Sequence, residues 1–491
     1  MLSTKNNKTL YGALKGFSWN VTGSLIRAIA GFVINILLAR ILGPQPFGVI
    51  AVALLIIGIG NLIIESGLGA SLIQKEEIVE KEIAFVFTLQ MLLGLVLFAS
   101  IVVLAPWIAL QFKIQDAAAV LQVMAFALVI QAFAQVPAAL LRRNLDFKSL
   151  QIAQIISFLI GYLVVGISMA VANFGVWSLV AANLVQNGIN AAILYWKSPH
   201  KIFLTLSGSS QITLFGLRVL IANIANWLIQ YVDQTIIGRR FGAQNLGYYS
   251  RAYFLNWTIT GIVLSSAQTT LFSAVSRMGK SEETKRVFLG SMKIFAFIFF
   301  PLYWLIALES HNIISVIYGK DWLPAAELLT PLAFSMPFLV LVGLEGPLLN
   351  GLGKPHYEMW AQWITAVIAV LTLTIAANVS LIITAWSILF IYLFRFFIMS
   401  IVTIKTINLS WQQLVTAVIG GPVLGSGAMG LWLLAKQLAL FASTPILESL
   451  ARVLPVLLIL FSVIWATRHW LLPEYPVIIK IISRNRDETL K

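Results

Sequence analysis

The feature that most constrains this chain is its succession of unbroken apolar runs, each about twenty residues or longer, separated by short polar breaks. A helix needs about 20 apolar residues to cross a bilayer's hydrocarbon core. The strands of a membrane barrel would instead alternate polar and apolar residues over about 10 positions. Runs of this kind therefore predict helices. They fall at 17–40, 47–73, 83–110, 117–140, 149–171, 175–196, 212–237, 246–276, 287–308, 324–349, 357–376, 379–404, 411–436 and 449–471. Composition points the same way: of 491 residues, 59% are hydrophobic and 11% charged. Soluble domains carry about 25% charged residues, so this chain cannot cover a water-facing surface. The expectation is an all-α integral membrane protein of about 14 transmembrane helices.

A net charge of +14 would suggest a nucleic-acid partner in a soluble protein. In a membrane protein it reports orientation first, because Lys and Arg collect in cytoplasmic loops. With the N-terminus inside, the inner segments hold 22 basic residues. The outer segments hold 8: Arg40, Lys113, Arg239, Arg240, Arg251, Lys320, Lys436 and Arg452. This bias predicts cytoplasmic N- and C-termini and no nucleic acid. Lys5, Lys8 and Lys15 resemble the start of a signal peptide and Ala28-Ile29-Ala30 a cleavage box. Arg27 abuts that box and the apolar run continues to Leu38, so the first span reads as uncleaved. The absence of cysteine removes thiolate metal sites, disulfides and thiol catalysis together.

An internal repeat adds organisation. Residues 39–49, ARILGPQPFGV, align with 238–248, GRRFGAQNLGY, pairing Arg40 with Arg239, Gly43 with Gly242, Gln45 with Gln244 and Gly48 with Gly247. Each copy joins the first two spans of its half. Six spans lie between them, so the halves share one orientation. This predicts two six-helix lobes, 1–201 and 212–405, related by a pseudo-twofold along the membrane normal with a site between them. Two extra helices at 411–471 and a cytoplasmic tail at 473–491 would follow.

Polar residues inside spans are the candidates for function, since an ionisable group at mid-helix costs about 2.5–3.5 kcal/mol. In span 1, Asn20, Ser24, Arg27, Gly31 and Asn35 share one helical face. That face lines a cavity, or else Arg27 pairs with Glu65 of span 2. Span 7 carries Arg218, then Asn223, Asn226, Gln230 and Asp233; Asp233 reads as an ion-pair partner of Arg239. Span 6 places Asn183, Gln186, Asn187 and Asn190 along one face, suited to sugar hydroxyls or to interhelical bonds. Arg251 neighbours Tyr249, Tyr253 and Trp257, which recur every four residues and suit sugar stacking or an interfacial belt. Arg395 in span 12 has no acidic residue near it in sequence, and Glu345 in span 10 is structural or part of ion coupling. Neither a phosphate-binding GxxxxGK nor HExxH or GxSxG occurs. The GxGxxG at 425–430 lies inside a span with no strand before it. Loops are minimal, so a membrane polymerase or ligase is the weaker reading, and no catalytic residue, metal or cofactor is expected.

Several segments are familiar as a set. Leu38-Ala39-Arg40-Ile41-Leu42-Gly43-Pro44, Glu65-Ser66-Gly67-Leu68-Gly69, Arg142-Arg143-Asn144-Leu145-Asp146-Phe147 and Asp233 through Arg239 into Leu246-Gly247-Tyr248-Tyr249-Ser250 resemble one family. It is the Wzx-like lipid-linked oligosaccharide flippases of the multidrug/oligosaccharidyl-lipid/polysaccharide exporter superfamily. The resemblance implies alternating access by two bundles and export of an undecaprenyl-pyrophosphate-linked oligosaccharide for cell-surface polysaccharide. It also implies a bacterial inner-membrane location and, as partners, membrane lipids, the polysaccharide polymerase and chain-length machinery. Arginines at 27, 218 and 395 suit a pyrophosphate, which a guanidinium binds through two hydrogen bonds. Arg251, Asn35, Asn187, Asn190, Asn226 and Gln230 complete the expected substrate set. Glu65, Asp233 and Glu345 remain for ion pairs or for coupling to an unassigned Na⁺ or H⁺. An organic-cation exporter of the same superfamily is the alternative, and it should favour carboxylates instead.

Overall fold

The computed structural model describes residues 2–65, 68–75, 78–114, 116–205, 210–438 and 445–466. Among these the regular structure is helical throughout, with no strand. The first helices are α1 (Leu2–Leu42), α2 (Pro44–Glu65), α3 (Leu68–Gln74), α4 (Glu80–Phe112), α5 (Ala117–Met124), α6 (Phe126–Arg143) and α7 (Phe147–Phe158). A π-helix over Leu159–Gly166 continues α7 into α8 (Ile167–Val171), and α9 (Val176–Lys197) follows. Beyond it run α10 (Ser210–Met278), α11 (Glu282–Leu308), α12 (Ser310–Ile317), a 3₁₀ turn at Lys320–Trp322, α13 (Pro324–Gly351) and α14 (Pro355–Ala377). The described chain ends with α15 (Leu381–Ile407), α16 (Trp411–Val418), α17 (Gly420–Leu438) and α18 (Pro445–Ala466).

Local chemistry sets many of these boundaries. The hydroxyls of Ser281 and Ser380 accept from the Thr284 and Ile383 amides at 3.1 Å, capping α11 and α15. Ser410 and Gln413 close a reciprocal capping box at the start of α16. Pro324 and Pro355 begin α13 and α14, where the missing N–H costs nothing.

Among the described residues, ten helices are long and apolar enough to cross a membrane, or eleven if a bent pair counts as one more. This criterion does not confirm the expected count of fourteen. Spans 7 and 8 both lie within α10, which is two helices meeting at a kink where Gly242 leaves helical geometry. The bent pair lies here too: Trp227–Thr258 and Val263–Met278 meet at 50°. Helices α9 and α18 are 22 residues each but fall outside the ten; α9 carries four amides mid-helix. The expected span 2 covers α2 and α3, whose junction at residues 66–67 lies outside the described residues. The expected tail lies outside the described residues.

Packing divides the chain into two compact units, Met1–Ser250 and Arg251–Lys491. In the first, α2 is the most enclosed span, with 61% of its apolar window buried, while Thr22–Leu42 of α1 has only 17% buried. In the second, α13 is central at 72%, lying against α11, α14 and α15. Close approach in the first unit depends on Gly161 of the π-helix, where a Cβ would lie 2.6 Å from the Ala182 carbonyl oxygen of α9.

Candidate functional site

In the first unit, Arg27 is half-buried and donates to the Ser24 hydroxyl one turn earlier, at 3.4 Å. Its Nε has no partner. The carboxylate once open to it, Glu65, is exposed and accepts instead from Gln135 of α6 at 3.3 Å. Asn35, on the same face as Arg27, donates to the Gly31 carbonyl at 2.8 Å. The span 6 amides divide between the two readings. Asn187 donates to Asn183 at 2.9 Å and accepts from Gln131 of α6 at 3.2 Å, while Asn183 reaches the Tyr162 hydroxyl at 3.5 Å. Asn187 is thus held in an interhelical network. Asn190, one turn further, keeps a buried oxygen without a partner.

Asp233 lies at 4% exposure and does not meet Arg239. It accepts from the Tyr249 hydroxyl at 2.5 Å and from the Gln234 amide at 2.7 Å. Arg239 donates to Gln111 at 3.0 Å. Six helical positions turn two side chains through about 240°, so they cannot share a face. Tyr249 is therefore a buried partner of a carboxylate and unavailable to stack on a sugar. Gln230 is exposed; the side chains of Arg218, Asn223 and Asn226 lie outside the described residues.

In the second unit, Tyr253 and Trp257 stack almost in parallel, 9° apart with centroids at 6.5 Å, and Trp257 is 40% exposed. Arg251 lies over the Phe254 ring, its guanidinium carbon 5.0 Å from the centroid. Arg395 gains by folding what it lacks in sequence: Tyr392, Glu358, Tyr253 and Glu345 all act on its charge. Helices α13 and α14 both pack on α15, which brings their carboxylates to it. Glu345 is fully buried and accepts from Ser400 at 2.8 Å, while its second oxygen has no partner. Glu358 accepts from Asn350 at 2.7 Å and Gln362 at 3.1 Å, and lies against Gly346 where a Cβ would be 2.5 Å away. Two carboxylates and one guanidinium thus share a mostly buried polar cluster. Such a cluster can hold a proton or release one partner to a ligand.

Glu358, Gln131, Gln135 and Tyr162 were not singled out from sequence. Glu358 sits in the first turn of a helix, where an acidic residue reads as a match to the helix dipole. Gln131 and Gln135 are one turn apart on α6, and that spacing was the signal available. Glu309, just past the end of span 9, is a further carboxylate outside the expected set. It is 3% exposed and accepts from Trp432 Nε1 at 2.6 Å, Ser449 at 2.8 Å and Asn312 at 3.0 Å, with Arg452 at 3.7 Å. Among the described residues no group of three or more His, Cys, Asp and Glu could hold a metal ion.

Comparison with known proteins places these features. A family model described as polysaccharide biosynthesis protein matches residues 37–327, more than half of the chain. The teichuronic acid biosynthesis protein TuaB of Bacillus subtilis is 27% identical over 338 residues, covering 66% of this chain and 68% of that one. The succinoglycan biosynthesis transport protein ExoT of Rhizobium meliloti is 26% identical, covering 75% and 74% respectively. Among solved structures, the lipid II flippase MurJ in an inward closed conformation superposes with a TM-score of 0.73 at 14% identity, over 91% of this chain and 98% of that chain.

Proposed function

Because the chain belongs to the polysaccharide biosynthesis protein family, we propose that it flips a polyprenyl-pyrophosphate-linked oligosaccharide across a membrane by alternating access. It is a multi-pass membrane protein, and the reading sets it in a bacterial inner membrane with both termini cytoplasmic, carrying glycolipid outward. The family match, the relatives named for polysaccharide biosynthesis and transport, and the flippase-like fold support this reading. The observation that carries the choice of cargo is Arg27. A guanidinium stays in the middle of an apolar span, bonded to a serine and, among the described residues, within ion-pair distance of no carboxylate. A group so costly to place there suits an anionic head group arriving with the substrate.

Within this proposal Arg27 and Arg395 engage the pyrophosphate, and Arg218 and Arg251 add positive charge. Asn190, Asn226 and Gln230 meet the glycan. Asn35 and Asn187 position the helices around it, given the bonds they already make. Glu65, Asp233 and Glu345 are the carboxylates available to an Na⁺ or H⁺, with Glu345 beside Arg395 best placed to exchange partners. The polymerase and chain-length machinery would take the exported product.

The test is movement of a fluorescent polyprenyl-pyrophosphate glycan in proteoliposomes containing the purified protein, alongside an organic cation dye. Glycolipid movement without dye movement is expected. Dye movement without glycolipid movement would return the chain to the drug-exporter branch.

A further inference from the structure

Helices α1 and α7 pack against each other, and a series of contacts sets their register. Lys148 Nζ lies over the Trp19 ring, 5.4 Å from its centroid. A Cβ on Gly23 would be 2.7 Å from the Gln151 Cβ, and one on Gly31 would be 3.6 Å from the Phe158 ring. Further along, a Cβ on Gly166, at the end of the π-helix that continues α7, would be 3.8 Å from Leu38. The partners rise together along both helices, so the two run in the same direction. Arg27 stands one turn from both Gly23 and Gly31, and Gln154 stands one turn from both Gln151 and Phe158. The two side chains therefore occupy one level of the same helix pair. Arg27 Nε, a donor, and Gln154 Oε1, an acceptor, are both buried and, among the described residues, have no hydrogen-bond partner. A bond between them would close both atoms, and neither makes it.

We propose that Gln154 is a specificity-determining residue that recognises the first sugar of the cargo while Arg27 holds the phosphate next to it. The proposal rests on the flippase reading above and names the part of the glycolipid that meets α7. A buried donor or acceptor left unpaired costs its full desolvation. Two such atoms of opposite sense at one level fit a ligand that accepts at one place and donates beside it. A lipid tail does neither, and an ionised pyrophosphate only accepts. A glycosyl pyrophosphate does both within a few bonds. Its phosphate oxygens accept from the guanidinium. The hydroxyl or acetamido group on the second carbon of the first sugar, beside the carbon that carries the phosphate, donates to Gln154 Oε1. Both side chains are half-buried, so rotation about their own bonds presents both atoms without parting α1 from α7. A site built to accept a substrate O–H or N–H rejects the analogue lacking it, because its own acceptor is then left unpaired.

The test uses three fluorescent polyprenyl-pyrophosphate glycans in proteoliposomes. They differ only at the second carbon of the first sugar, which bears an acetamido group, a hydroxyl or hydrogen alone. The unaltered protein should move the first two about tenfold faster than the third, the effect of one hydrogen bond. Gln154→Leu should move all three at the slow rate of the third. Equal rates for the three in the unaltered protein, or a preference that survives in Gln154→Leu, overturn the proposal and leave the flippase reading standing. Movement of none of the three removes that reading and the proposal with it. Should Gln154→Leu fail to fold, as read from its melting temperature in detergent, Gln154→Glu decides. Its carboxylate keeps the side chain's shape and competes with the pyrophosphate for Arg27, so it should slow all three glycolipids several-fold. Undiminished movement by folded Gln154→Glu overturns the shared site.

Discussion

Arg27 and Arg395 are both guanidiniums inside apolar helices, yet their surroundings give them different tasks. Arg27 bonds only Ser24 on its own helix, and its span is the least enclosed of those described. Among the described residues, removing it breaks one hydrogen bond to Ser24 and no ion pair. Arg395 stands among Glu345, Glu358 and Tyr253, and Glu345 already has one bare buried oxygen. Removing that guanidinium withdraws positive charge from beside the fully buried Glu345, which costs stability. Arg27→Ala should therefore lose glycolipid movement at least tenfold with its melting temperature unchanged, whereas Arg395→Ala should lose both. Flipping assays paired with thermal unfolding in detergent decide it. Full transport by Arg27→Ala would remove that residue from the site. The need for Arg27 was visible in the sequence, because charge within a span stands out against apolar neighbours. The partners of Arg395 were not, since Glu345 and Glu358 reach it only through the packing of three helices. Asp233 was misread for a related cause: Arg239 is near in sequence but on another face, and Tyr249 bonds to it instead.

Among the helices, the pair α17 and α18 shows how an addition becomes part of a unit. Glu309, at the end of α11, is reached by Trp432 of α17 and by Ser449 and Arg452 of α18. One buried carboxylate thus ties three elements, and Asn312 of α12 completes its hydrogen bonds. The Glu309→Ala change takes this acceptor from those donors and removes the negative charge beside Arg452. It should destabilise the protein by roughly 3–5 kcal/mol, read as a lower melting temperature in detergent. Glu309→Gln, which keeps an acceptor for Trp432, should fall between. An unaltered melting temperature in Glu309→Ala would show that the pair is held by apolar contact alone. The spans themselves were legible at element scale because their apolar runs exceed anything a loop or a soluble helix requires. The breaks inside them were less so. Ala125 interrupts span 4 and a π-helix occupies Leu159–Gly166 in span 5, both where hydropathy is continuous. The π-helix depends on tertiary fit, with Gly161 close against the α9 carbonyl of Ala182, which no local pattern announces.

For the whole molecule the governing quantity is charge, both on the protein and on its cargo. Positive residues dominate the chain, at +14, and the proposed cargo carries a doubly negative pyrophosphate. Moving two negative charges outward across an inside-negative membrane releases up to about 4.6 kcal/mol per 100 mV. In the proposed transport the membrane potential alone acts in the outward direction, and that export needs no ATP-binding loop, consistent with the absence of GxxxxGK from the sequence. The repeat was legible in the sequence; that its two turns touch, Gly48 against the Ala243 carbonyl and Gly247 against that of Pro44, was hidden, because a glycine in a sequence does not say which backbone it faces. The most direct measurement imposes a potential of either sign on proteoliposomes loaded with a fluorescent polyprenyl-pyrophosphate glycan and follows its movement between leaflets. Faster movement toward the positive side, reversing when the potential is reversed, is the result predicted here. Movement indifferent to potential, or directed toward the negative side, would contradict transport of an anionic glycolipid by a cationic pathway.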